Sequence, residues 1–171
     1  MGFDSETAFE SALIKCLVEE KGWKDGVIKY PTEKDLLDNW AKIIFENNRD
    51  IDRLGDFPMT DGEMAQIMGQ IAKLRTPLNL NGFINGGTVQ IIRDNENDTH
   101  NFKKTISLKI FDRNEIAAGR TRYQIAQQPK FKAKNSIYPN RRGDFCLLIN
   151  GMPVIHVELK KSNVPVSEAQ Y

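Results

Sequence analysis

Two apolar, partly β-branched runs, Phe145 to Ile149 and Val154 to Leu159, flank Asn150-Gly151, and this stretch constrains the fold more than any other. Runs of that length closed by Asn-Gly predict two antiparallel strands joined by a tight turn. One face of the pair carries Phe145, Leu147, Ile149, Ile155, Val157 and Leu159; the other carries Cys146, Leu148, Val154 and His156. A hairpin apolar on both faces belongs inside a sheet covered by helices on both sides, so an α/β fold is expected.

Charges sit at the open end of this hairpin. Asp144 precedes the first strand, and Glu158 and Lys160 lie two apart near the end of the second, on one face. Parity decides whether they meet. A two-residue loop at Asn150-Gly151 pairs Ile149 with Met152 and sends the two carboxylates to opposite faces. A three-residue loop, or a bulge equivalent to it, pairs Asp144 with Glu158. The second register is expected, because it gathers Asp144, Glu158 and Lys160. Directly opposed residues hold their Cβ atoms roughly 4.5–5.5 Å apart, so two carboxylates there repel unless a cation lies between them.

Asp144, thirteen intervening residues, then Glu158-Leu159-Lys160 resembles the PD-(D/E)xK nuclease signature. The wording around it, R-x-D, strand, N-G-x-P, strand, E-L-K, resembles the amino-terminal nuclease domain of the restriction (motor) subunit of type I restriction-modification enzymes. The likeness extends to the first helix ending in Gly22-Trp23 and to the segment Phe57-Pro58-Met59-Thr60-Asp61-Gly62. The chain departs from the family at Gly143, where proline usually precedes the aspartate. The resemblance implies a restriction endonuclease-like mixed β-sheet flanked by helices, with residues 1–171 as a single endonuclease domain cut within or before the helix that follows the E-x-K strand. It implies catalytic roles for Asp144, Glu158 and Lys160, and metal ligation by Asp144, Glu158 and the Leu159 carbonyl. Mg²⁺ suits such a site, Mn²⁺ being the alternative. A Q-x-x-x-Y motif is expected nearby, its glutamine being Gln170 or lying beyond Tyr171. Expected partners are double-stranded DNA and the methylation and specificity subunits of the complex. No G-x-x-x-x-G-K-[ST] loop is present, so ATP would act only through domains outside this sequence.

Glu10 is the fourth candidate. Asp4 or Ser5 can cap a helix from Glu6 to about Glu20, ended by Gly22, with Phe9, Ala12, Leu13, Cys16 and Leu17 as its apolar stripe and Ile14 widening it. Glu10 falls inside that arc. Nucleases of the resembled family bring a helical glutamate toward the metal; the other reading is an edge carboxylate reaching solvent.

Further helices are predicted after Pro31-Thr32, with Asp35 in capping-box spacing, and from Thr60-x-x-Glu63 to a stop before Pro77. Residues 78–87 read as loop. Strands are expected at Thr88 to Ile92, Phe102 to Phe111 and Tyr123 to Gln127. His100 reads as exposed, and His156 as a hydrogen-bonded core residue rather than a ligand.

Net charge is +1 over 171 residues, yet residues 101–161 hold 13 Lys and Arg against 4 Asp and Glu. Lys130, Lys132, Lys134, Arg141, Arg142 and Lys161 are candidate DNA contacts in that basic half, with Phe131 and Tyr138 interleaved. Solvated strand edges would look the same. Two cysteines, Cys16 and Cys146, do not make a disulfide framework. Met1 is not followed by a basic-then-apolar leader, and no apolar run nears 18 residues, so a cytoplasmic protein without a membrane span is expected. The function expected is Mg²⁺-dependent hydrolysis of DNA phosphodiesters, weak or absent in these 171 residues alone. The rival readings are another PD-(D/E)xK nuclease of repair or resolvase type, a DNA-binding module of the same fold that does not cut, and an α/β domain whose Asp144, Glu158 and Lys160 merely pair with one another.

Overall fold

The computed structural model describes residues 5–74, 76–112, 114, 119–131 and 141–159, with backbone alone at 141 and 142. Helix α1 (Glu6–Glu20) starts at Ser5, whose hydroxyl accepts the Ala8 N–H at 3.1 Å. It ends where Gly22, at φ +80°, lets the Trp23 N–H donate to the Leu17 carbonyl at 3.1 Å. After β1 (Val27–Lys29), helix α2 (Glu33–Asn47) opens on reciprocal bonds between Thr32 and Asp35, each backbone N–H donating to the other side chain. Helix α3 (Asp61–Ile71) opens on the Thr60–Glu63 capping box.

Residues 78–87 are not the loop expected. Helix α4 (Pro77–Ile84) runs through them, with the Thr76 hydroxyl accepting the Asn79 N–H and Pro77 at the first turn. Proline there loses no hydrogen bond and arrives with helical φ, so Pro77 starts a helix as well as stopping the one before. Strands β2 (Thr88–Ile92) and β3 (Thr105–Lys109) pair antiparallel, β3 being shorter than the predicted run. The remaining strands are β4 (Tyr123–Gln127), β5 (Lys130–Phe131), β6 (Arg141–Arg142), β7 (Phe145–Ile149) and β8 (Met152–Val157). The expected basic connection after Lys130 thus contains a short strand; residues 132–140, with Lys132 and Lys134, lie outside the described residues.

The chain divides into two compact units, Met1–Leu36 with Arg122–Tyr171, and Leu37–Thr121. In the second, Trp40, Ile43, Ile67, Val89, Ile91 and Leu108 are buried. Arg93 is fully buried with them, its guanidinium held by Glu63 at 2.6 Å and Asp98 at 2.8 Å and by the carbonyls of Phe57 and Pro58. The α3 glutamines cover the free edge of β2: the Gln66 amide gives to and takes from Ile92, and Gln70 donates to the Gln90 carbonyl. An amide that bonds both ways imitates a neighbouring strand, and so blunts the edge.

The first unit carries the mixed four-stranded sheet, in order β1-β4-β7-β8, with β1 and β4 parallel and the rest antiparallel. On one face Ile14, Phe9, Leu13, Leu17 and Val18 of α1 pack on Ile125, Phe145, Leu147 and Leu159. On the other, Leu36 packs on Ala126, Cys146 and Leu148. The α/β expectation holds, and β7 is covered on both faces. Its partner β8 is the sheet edge, which is why Ile155 stays half exposed.

Candidate active site at the strand ends

The loop of the hairpin has two residues, not three. Asn150 (φ +49°) and Gly151 (φ +83°) both take the left-handed conformation that a tight primed turn requires, and Ile149 faces Met152. The register then shifts between Leu147 and Leu148: Leu148 faces Pro153, while Leu147 faces Ile155. Val154 is the extra residue of a bulge. Beyond it Cys146 faces His156 and Phe145 faces Val157, so continuing the ladder by one sets Asp144 opposite Glu158. The turn that would have separated the carboxylates is offset by the bulge.

Three strand ends meet here. The Tyr30 N–H, just past β1, donates to Gln127 O at 2.8 Å, and the Gln128 N–H, just past β4, donates to Asp144 O at 2.7 Å. The Leu159 N–H donates to Asp144 Oδ2, closing the far side. Tyr30 and Gln128 have φ of +55° and +50°, which is uncommon for side chains with a Cβ. Ligand sites of open α/β sheets lie at such carboxyl ends of parallel strands.

Glu10 reaches this end from α1. Its side chain does not go to solvent: it is 3% exposed, and Gln127 Nε2 donates to Oε1 at 2.7 Å while Gln128 Nε2 reaches Oε2 at 3.0 Å. Sequence reasoning missed both glutamines. The available signal was a polar pair closing an apolar strand just before Pro129, a residue that disfavours right-handed helix in its predecessor.

His156 is not a core residue. Its side chain is half exposed at the sheet edge, with Nε2 at 2.9 Å from Glu158 Oε1. Burial, and then the negative charge of Glu158, push the Cys146 thiol above its ordinary value. Leu159 buries its side chain under α1. Lys160, Lys161 and Gln170 lie outside the described residues, as do the side chains of Arg141 and Arg142. Lys130 is described: it is exposed, 5.9 Å over the Tyr30 ring, and β5 sets it against Arg142 of β6. Among the described residues, no group of three or more His, Cys, Asp and Glu is placed to hold a metal ion. Asp144 and Glu158 remain a pair of hard oxygen donors on adjacent strands, a set that fits a cation completing its shell with water and phosphate. No helix among the described residues is long and apolar enough to cross a membrane.

The family model described as "Type I restriction enzyme R protein N terminus (HSDR_N)" matches residues 4–171. The chain belongs to that family. It is 28% identical over 173 residues to the type I restriction enzyme SsaAORF53P endonuclease subunit of Staphylococcus saprophyticus, and 28% identical over 171 residues to the SauCOLORF180P endonuclease subunit of Staphylococcus aureus strain COL. Each match covers 99% of this chain and 16% of the relative, so the chain spans about a sixth of their length.

For a type I R-protein N terminus, Gly143 is then the position to explain. The Gly143 N–H donates to Pro129 O at 3.2 Å, a bond that proline could not make. A Cβ at Gly143 would fall 2.5 Å from His156 Nε2. The glycine makes room for the imidazole that pairs with Glu158.

Proposed function

We propose that this chain is the endonuclease domain of a type I restriction subunit and hydrolyses DNA phosphodiester bonds in a Mg²⁺-dependent reaction, Mn²⁺ being the alternative. The observation that supports the reading is the bulge after Pro153, which restores a register pairing Phe145 with Val157, so that the ladder, continued by one, would set Asp144 opposite Glu158. A bulge that re-aims a side chain is a built feature. Membership of the type I restriction R-protein N-terminal family supports the reaction class.

In this mechanism Asp144, Glu158 and the Leu159 carbonyl would hold the cation, while the Leu159 N–H fixes Asp144. A divalent ion there would supply Lewis-acid chemistry, lowering the pKa of water and shielding phosphate charge. Lys160 orients the attacking water and stabilises charge that develops on the phosphate. Glu10 holds a further negative charge at the strand ends. Lys130, Lys132, Lys134, Arg141, Arg142 and Lys161 contact the DNA backbone, giving salt-sensitive, sequence-blind affinity. Target choice falls to separate specificity and methylation subunits. ATP-driven translocation would fall to other parts of the full-length subunit, since the chain spans about a sixth of its relatives' length.

The test uses the full-length protein assembled with its partner subunits, ATP and Mg²⁺. Lys160→Ala is expected to cut at least about a hundred-fold more slowly, the scale for losing one charge-stabilising donor. Cleavage at the parent rate would overturn the assignment.

A further inference from the structure

Glu10 is buried in a way that asks for an explanation. Among the described residues its side-chain partners are two neutral amides, Gln127 Nε2 at 2.7 Å and Gln128 Nε2 at 3.3 and 3.0 Å, and no lysine or arginine. Amides orient a carboxylate without cancelling its charge, whereas buried charges are ordinarily paired or bound to metal.

The backbone shows how both amides reach it. Gln127 faces Phe145 in the ladder and so points to the α1 side of the sheet. In a continuing strand Gln128 would point to the opposite side. Its φ of +50° breaks the alternation, so that the next amide turns to the same carboxylate. The same residue's N–H holds the Asp144 carbonyl at 2.7 Å. A left-handed glutamine is strained, and such strain persists where the surroundings impose it, commonly at functional sites.

We infer that Gln127 and Gln128 form an amide clamp, in which Gln128 is a positioning residue that ties Glu10 to the Asp144 strand end and so sets the negative field seen by the cation of the proposed site. This rests on the metal-dependent reading above. The clamp acts on Glu10 through hydrogen bonds and on Asp144 through the backbone. It touches neither DNA nor ion. A pair of neutral donors leaves the charge of Glu10 for the cation, which a lysine in their place would not.

The experiment measures Mn²⁺ affinity by calorimetry and thermal stability in the full-length protein, for the parent, Gln128→Gly, Gln127→Leu, Glu10→Gln and Glu10→Gln with Gln128→Gly. Gln128→Gly keeps the left-handed backbone without strain and removes only the amide. Its Tm is expected at or above the parent's, with Mn²⁺ affinity about ten-fold lower, the lower end of what losing an outer partner of a metal site costs. Gln127→Leu is expected to weaken Mn²⁺ similarly. The double variant should bind no more weakly than Glu10→Gln alone, because both changes remove one unit. Parent-like Mn²⁺ affinity in Gln128→Gly would overturn the clamp and leave the metal site standing. Failure of the parent itself to bind Mn²⁺ would overturn the metal site, and the clamp with it.

Discussion

Replacing Gly143 by alanine sets two small effects against each other, and the structure gives the sign of each. Gly143 does not have a left-handed φ, so alanine fits its backbone and should stabilise by about 0.4–1 kcal/mol by restricting the unfolded chain. Against this, the new Cβ would lie 2.5 Å from His156 Nε2 and 3.5 Å from Cδ2 and Cε1. The imidazole is half exposed, so it can swing into water, and what is lost is its contact with Glu158. A polar contact that exposed is worth about 1 kcal/mol or less. Gly143→Ala alone should therefore be nearly neutral. In a His156→Ala background the imidazole no longer obstructs the methyl, and the same change should stabilise by about 0.4–1 kcal/mol, or roughly 2–4 °C in Tm per kcal/mol at this chain length. The assay is a double-mutant cycle by urea unfolding. Additivity within about 0.3 kcal/mol would refute the packing of His156 over Gly143. Gly143→Pro should be clearly destabilising in both backgrounds, since it also removes the N–H bonded to Pro129 O at 3.2 Å.

Burial pushes the Asp98 carboxyl up, but the bonds from Arg93 and Asn101 outweigh it and hold the group below its ordinary value. A depressed carboxylate stabilises fully above its unfolded pKa of about 3.9 and loses that contribution as pH falls through the folded value. Unfolding free energy should thus drop less steeply below about pH 4 in Asp98→Asn than in the parent; equal slopes would refute the network. In DNA binding measured against salt, Lys130→Ala, Lys132→Ala and Lys134→Ala should each reduce the log–log slope by about one, and unchanged slopes would remove those residues from the interface.

The hairpin was legible because its information is local: Asn150-Gly151 dictates a turn, and apolar residues on both parities dictate burial on both faces. The bulge was not, since Pro153-Val154-Ile155 carries no mark of which residue is extra. Only its consequence, a register that points Asp144 and Glu158 at one another if the ladder is continued, could be expected from the carboxylates. Helix α4 was missed because Asn81-Gly82 and Pro77 read as breakers, whereas Pro77 at a first turn and a capping Thr76 outweigh one interior glycine. Glu10 was visible as a charge inside an apolar stripe. What it bonds to was not, because Gln127 and Gln128 are more than a hundred positions away and the turn at Gln128 comes from tertiary contacts. His156 was misplaced because alternation along β8 gives its side of the sheet, but not that the sheet ends there.

The described carboxylates of this end are each satisfied in a different way, and that difference bears on how they coexist. Asp144 takes a backbone N–H from Leu159, Glu10 takes amides from two glutamines, and Glu158 lies against the His156 imidazole. Among the described residues neither Asp144 nor Glu10 has a lysine or arginine partner, although such cations are plentiful in the surrounding sequence. On the metal-dependent reading proposed above, neutral donors would orient the oxygens and leave their charge for a cation to neutralise. By contrast Arg93, enclosed by Glu63 and Asp98 in the other unit, shows the chain using a permanent cation where it needs only a stable interior. One sequence thus closes one carboxylate group with a permanent cation and, on the proposed reading, would leave the other available to a metal.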